Sequence, residues 1–206
     1  MIIRLQKAQI KHFRNVASGE IRFPCNLSKD IFSPKGDVLG IYGQNGSGKT
    51  TFIHVLAILK ELLSGNPAPE DLQDFISQGK NEAEFSFEFS MLSEDNQKYR
   101  AVYSAGLGEG RIQESLKVSL MEKDGWGRLN SIMICDSTDK EELFTPVVKR
   151  RELFGLTQDT LDDLRVTKLL CAKEHRSFIF SKDVSMLMDT AQTGSPYIGV
   201  IKALRI

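Results

Sequence analysis

The spacing of apolar and polar residues splits this chain into a strand-rich part and a helical part. Phe85, Phe87, Phe89 and Met91 alternate with Glu84, Ser86, Glu88 and Ser90, a period-two run that predicts a half-buried strand. Residues 98–104 and 112–121 read as the next two strands, and Asp124-Gly125 as a hairpin turn into another at 129–135. Near the start, Ile3, Leu5, Lys7 and Gln9 alternate with Arg4, Gln6, Ala8 and Ile10 in a first strand. Residues 20–23 resemble its hairpin partner, which Pro24 ends. The period changes over residues 51–64, where Phe52, Val55, Leu56, Leu59, Leu62 and Leu63 recur at helical spacing. A short buried strand is expected at 37–42 ahead of that helix, and a loop at 64–69 after it. Further on, residues 157–173 read as a helix with Leu161, Leu164, Leu169 and Leu170 on an apolar side. A strand at 176–180, a helix at 181–190 and an amphipathic, interrupted element at 197–206 complete the pattern.

Between the expected strand at 37–42 and the helix at 51–64 lies Gly43-Gln44-Asn45-Gly46-Ser47-Gly48-Lys49-Thr50, a complete phosphate-binding loop in the context the motif requires. Glycines 43, 46 and 48 let the backbone turn its N–H groups inward, and the helix start adds the positive end of its dipole. Lys49 is expected on the β- and γ-phosphates, Thr50 on Mg²⁺, and Thr51 as a further phosphate neighbour. Gln44, Asn45 and Ser47 shape the loop, with backbone contacts dominating. ATP and Mg²⁺ are the expected cofactors.

Composition constrains less. The 206 residues can bury one good core, and 27 basic residues balance 27 acidic ones, so charge supplies no general attraction to nucleic acid or membrane. Cys25, Cys135 and Cys171 are scattered without a metal spacing, which fits a reducing, cytoplasmic setting. No apolar run reaches the length of a membrane span. His12, His54 and His175 show no spacing suited to a switch histidine, and Lys149-Arg150-Arg151 reads as a solvated basic face.

The stretch Ile10-Lys11-His12-Phe13-Arg14-Asn15 resembles the strand end that opens the RecF, structural-maintenance-of-chromosomes and OLD-type ATPases. The loop at 43–50 is similar to theirs, and the sheet at 84–89 and 112–116 resembles AAA-family members of this group. The resemblance implies an α/β P-loop NTPase fold: the N-terminal lobe of an ABC-ATPase-like head with an antiparallel sheet subdomain. Residues 1–64 would carry the nucleotide-binding strands, loop and helix, 82–136 the sheet lobe, and 138–206 a mostly helical segment. It implies that Arg14 and Asn15 lie near the nucleotide. It also implies a glutamine touching Mg²⁺ and the attacking water, for which Gln158 is the candidate by location. From the residues alone, Arg14 also reads as a solvated arginine, Gln158 as a solvated helix start and Phe13 as core.

Such ATPases also need four apolar residues followed by Asp and Glu to activate water. Residues 132–136 imitate the first half, but Ser137 stands where the glutamate belongs, so Asp136 is not assigned that role. No Leu-Ser-Gly-Gly signature occurs, and Leu63-Ser64-Gly65-Asn66 sits too early. The expectation is therefore an incomplete P-loop domain that binds ATP and turns it over slowly or not at all. Its partners would be a C-terminal lobe or partner chain bearing those motifs, and a second head in a head-to-head homodimer. DNA or a phage-defence role follows from the resemblance alone. A binding module completed in trans and a small-molecule phosphotransferase are the alternatives.

Overall fold

The computed structural model describes residues 1–24, 31–68, 74–109, 111–122, 125–136, 157–174, 176–190 and 196–205. Cys25, Asp124, Ser137, Lys149-Arg150-Arg151 and His175 lie outside the described residues.

Seven antiparallel strands form a curled sheet: β1 (Ile2–Phe13), β2 (Val16–Arg22), β3 (Glu82–Leu92), β4 (Lys98–Gly108), β5 (Arg111–Glu122), β6 (Gly125–Trp126) and β7 (Asn130–Asp136). The order is β2-β1-β3-β4-β5-β6, with β7 also paired to β5, so the first hairpin and the later strands share one sheet. Alternation sets the buried face. Ala83, Phe85, Phe87 and Phe89 of β3 and Tyr99, Ala101, Tyr103, Ala105 and Leu107 of β4 all point into the core. In β1 the alternation is reset at Gln6, an extra residue between the Leu5–Phe89 and Lys7–Glu88 pairs. Leu5 before the bulge and Ala8 and Ile10 after it therefore share the core-facing side, opposite the buried Phe89, Phe87 and Phe85, and Gln6 is buried at the bulge itself.

Helix α1 (Lys49–Leu63) lays Phe52, Val55, Ile58, Leu59, Leu62 and Leu63 into the same core. Gly65, with φ +67°, ends it: the amide of Asn66 donates to Glu61 and that of Gly65 to Leu62. A Cβ at Gly65 would stand 2.6 Å from the carbonyl oxygen of Phe180, so only glycine admits that approach.

Helices α2 (Gln158–Lys173), α3 (Lys182–Thr190) and α4 (Pro196–Leu204) follow. Three expectations fail here, each for a physical reason. Residues 37–42 form no strand and pair with none among the described residues, with Val38 92 % and Tyr42 93 % exposed. The described sheet is antiparallel throughout and none of its strands pairs with them, so it offers them no parallel neighbour. Residues 176–180 form a buried turn, not a strand, because their amides close around a carboxylate. Leu169 and Leu170 are exposed, since the buried side of α2 is Leu161, Leu164, Thr167, Lys168 and Cys171.

That carboxylate is Glu114, at an inward position of β5 and 3 % exposed. The hydroxyls of Tyr103 and Ser177 donate to one oxygen at 2.5 and 2.6 Å. The amides of Phe178 and Ile179 point at the other from 2.9 and 3.5 Å. Burial pushes the Glu114 carboxyl above its ordinary range, against the pull of these donors. The folded chain then holds this proton more tightly than the unfolded chain. The stabilisation it brings is complete below the ordinary carboxylate pKa of about 4.3 and is lost as pH rises through the higher folded value.

Glu114→Ala strands these donors and is expected to cost about 3 kcal/mol or more in urea unfolding. Glu114→Gln keeps an acceptor for the amides and a donor for the hydroxyls. Its stability relative to wild type should rise from mildly acidic to mildly alkaline pH, and a pH-independent difference would contradict the buried, proton-holding carboxyl.

Candidate functional site

The phosphate loop runs from Gly43 into α1, whose N-cap is Gly48 with φ 90° and ψ 6°, a left-handed conformation suited to glycine. No side chain caps this helix start and no acidic residue occupies its first turn. Its amide groups and dipole therefore face a site built for an anion. Lys49 folds back over the loop, its Nζ donating to the carbonyls of Gly43 at 2.6 Å and Gln44 at 2.7 Å. An ammonium has three donors, so two hold the loop closed and the third is available to a phosphate oxygen. The amide of Ser47 donates to Gln44 at 3.2 Å, tightening the turn, and Gly46 sits at φ +84°. Gln44, Asn45, Ser47 and Thr50 side chains stand at the exposed or half-exposed rim.

Asn15 is the residue that joins this loop to the sheet. It lies in the two-residue turn between the paired residues Phe13 and Val16. Its Nδ2 donates to the Gly46 carbonyl at 2.5 Å, and its Oδ1 accepts from the Thr51 hydroxyl at 3.2 Å. Thr51 is buried, so its hydroxyl is a clamp contact in this state instead of a rim donor. Val16 completes the contact: a Cβ on Gly48 would stand 3.0 Å from its Cγ2. A cavity of about 240 Å³ opens beside Ser47 and Gly48, walled by Val16, Ile21 and Phe52.

Arg14 takes a different direction. Its backbone is left-handed, φ 55°, and its amide donates to Phe75 at 2.5 Å. Its guanidinium stacks 4.1 Å from the centre of the Phe75 ring, which also meets His54 of α1 edge-on. Ser77 donates to the Arg14 carbonyl at 3.0 Å. Phe13 is fully buried against Phe75 and Phe85, as core. Phe75 stands out in no periodic pattern, and sequence reasoning missed it.

Gln158 opens α2, exposed, with its amide donating to Asp162 at 3.2 Å in its own helix. Asp136 ends β7, paired with Arg111 at 2.8 Å and Gln113 at 2.6 Å on the polar side of the antiparallel sheet. The described residues hold no cluster of three or more His, Cys, Asp or Glu suited to a metal. Thr50 lies in the first turn of α1 with its side chain exposed, so its hydroxyl is free of the core and could serve a Mg²⁺ bound with nucleotide. ATP fits this donor set: uncapped amides, left-handed glycines and one lysine donor. The bound nucleotide would supply the phosphoryl group, and the chain's part is to orient and neutralise its phosphates.

Asn15→Ala removes two hydrogen bonds that hold the loop, together about 1–2 kcal/mol. ATP affinity should fall roughly tenfold with the fold intact, read by calorimetric titration and a thermal melt.

Residues 38–131 match the model of a family described as "AAA domain, putative AbiEii toxin, Type IV TA system". The proteasome-activating nucleotidase of Methanopyrus kandleri is 28% identical over 153 residues, which are 69% of this chain and 35% of that protein. The lipoprotein-releasing system ATP-binding protein LolD of Buchnera aphidicola is 59% identical over 32 residues, 16% of this chain and 14% of that protein. The chain thus spans about a third of the first relative's length, and its match to the second covers about a seventh. No described helix is long and apolar enough to cross a membrane. The matched family is described as an AAA domain, both relatives are nucleotide-handling proteins by name, and the loop at 43–50 has the residues and left-handed glycines of a phosphate-binding P-loop.

Proposed function

We propose that this chain is the nucleotide-binding lobe of a RecF/OLD-like ATPase, completed by polypeptide that carries the water-activating carboxylates and the signature motif. The observation that carries this reading is the segment at 37–42. Arg4 holds its first residue, Asp37, at 3.0 Å. Beyond that anchor, Val38, Leu39, Ile41 and Tyr42 stand exposed right up to Gly43. A run of consecutive apolar residues that leads into a phosphate loop has the sequence of a central strand in a parallel sheet. Its backbone groups need neighbours on both edges, and further strands would supply them.

In the completed head, Lys49 and the loop amides hold the phosphates and Thr50 meets Mg²⁺. Gln158 is proposed to meet the same ion and the attacking water, which requires it to leave Asp162. Arg14 would likewise have to leave Phe75 to approach the nucleotide. Two heads would close on ATP, and hydrolysis would reopen them. The setting we infer is phage defence or a DNA-linked process, supported by the resemblance and by the toxin–antitoxin wording of the matched family.

The test is Mg-ATP binding and turnover by the purified chain beside Lys49→Ala. The expected result is binding that weakens at least roughly 30-fold in the variant, as loss of a charged contact of about 2 kcal/mol or more requires, without turnover by either protein. Lys49-dependent turnover by this chain alone would overturn the incomplete-lobe reading and direct attention to Asp136. Absence of binding would overturn the assignment of this lobe as sufficient to hold ATP.

A further inference from the structure

We propose that the outer face of α2 is a pairing seam between two copies of this chain, docked antiparallel. Along the helix, Asp159, Asp162, Val166, Leu169 and Lys173 recur at alternating steps of three and four residues, the spacing of a coiled-coil seam. All five are exposed, on the side opposite the buried Leu161, Leu164, Lys168 and Cys171. Val166 is 58 % and Leu169 54 % exposed, and Leu170 beside them is 45 % exposed. Adjacent exposed apolar side chains at seam positions differ from scattered surface leucines, because a second helix covers them together.

The charges along the seam select the occupant and its direction. The amino-terminal half of the stripe is acidic at Asp159 and Asp162, and its carboxy-terminal end is basic at Lys173. A two-fold axis between Val166 and Leu169 sets Val166 against the partner's Leu169 and Asp162 against the partner's Lys173, and both contacts occur twice. The helix dipoles oppose each other in this arrangement. A parallel pair would instead set Asp162 on the partner's Asp162 and Lys173 on the partner's Lys173. Within its own helix Asp162 already accepts from Arg165 at 2.5 Å and Gln158 at 3.2 Å. Arg165 flanks the seam, and a carboxylate has lone pairs enough on its two oxygens to accept from a second cation as well. Sixteen residues make a contact about 24 Å long. Three apolar side chains per copy place it at the small end of stable interfaces, so the dimer should depend on concentration.

This pairing does not rest on nucleotide binding, and the experiment keeps the two apart. Sedimentation velocity of the whole chain is run without nucleotide, in wild type and in Lys49→Ala. Both should show a concentration-dependent dimer. Leu169→Glu and Asp162→Lys should each reduce the dimer at least tenfold, with folding confirmed by circular dichroism. The double variant Asp162→Lys/Lys173→Asp should restore it. A monomer at every concentration overturns the proposal and leaves the face to other polypeptide. A dimer indifferent to Leu169→Glu, or a charge swap that fails to restore pairing, overturns it as well.

Discussion

The phosphate loop of this chain is held by the side chain of Asn15. A loop of glycines and exposed polar residues has almost no packing of its own, so its shape must be imposed from outside. Asn15 imposes it by bonding the Gly46 carbonyl with its amide nitrogen and the Thr51 hydroxyl with its amide oxygen. The asparagine is fixed because the turn carrying it is fixed. Phe13 before it is buried among Phe75 and Phe85, and Arg14 beside it bonds Phe75 and accepts from Ser77. The loop is thus positioned by the rigidity of a hydrophobic sheet, transmitted through one hairpin. Lys49 closes it from within by bridging the carbonyls of Gly43 and Gln44. Charge and geometry are therefore largely organised before phosphate arrives, which lowers the reorganisation that binding requires.

The opposite end of α1 is held by a buried polar network instead of a turn. Glu114 draws the amides of Phe178 and Ile179 and the hydroxyl of Ser177 onto the sheet. The resulting turn presents the Phe180 carbonyl to Gly65, where α1 ends, and the Ser181 hydroxyl to the amide of Val184, where α3 begins. One carboxylate in the core register of β5 therefore decides where two helices meet the sheet. Its cost is desolvation, met by four donors.

Much of this was legible in the residues. The strands followed from alternation because one face of the sheet is buried and the other is polar, and α1 followed from its apolar stripe. The loop was legible because phosphate binding fixes glycine, lysine and threonine at set distances. The failures share a cause. Residues 37–42 have the composition of a central strand, but composition cannot provide neighbours, and the described residues offer none. Residues 176–180 have strand-like composition too, yet Glu114 supplies a better partner for their amides than a sheet edge would. A carboxylate between Ile112 and Leu116 at inward positions was the signal that a donor-rich segment must fold over it. In α2, four leucines suggested one apolar side. Their angular spacing puts Leu161 and Leu164 in the core and Leu169 and Leu170 outside it.

The apolar surfaces left over by that comparison are of two physical kinds. Among the described residues the 37–42 segment has no strand partner, so a completion of the kind proposed would bring hydrogen-bonding strand edges. The middle of the outer face of α2, around Val166 and Leu169, has its backbone groups bonded within the helix, so what completes it need bring only side chains of matching shape and opposite charge. The first requirement is met by a sheet, which calls for extended polypeptide in fixed register beside the phosphate loop. The second is met by a helix, and a seam acidic at one end and basic at the other is complementary to itself when reversed. A surface that complements its own reverse needs no other partner to satisfy it, and this distinguishes α2 from the segment that leads into the loop.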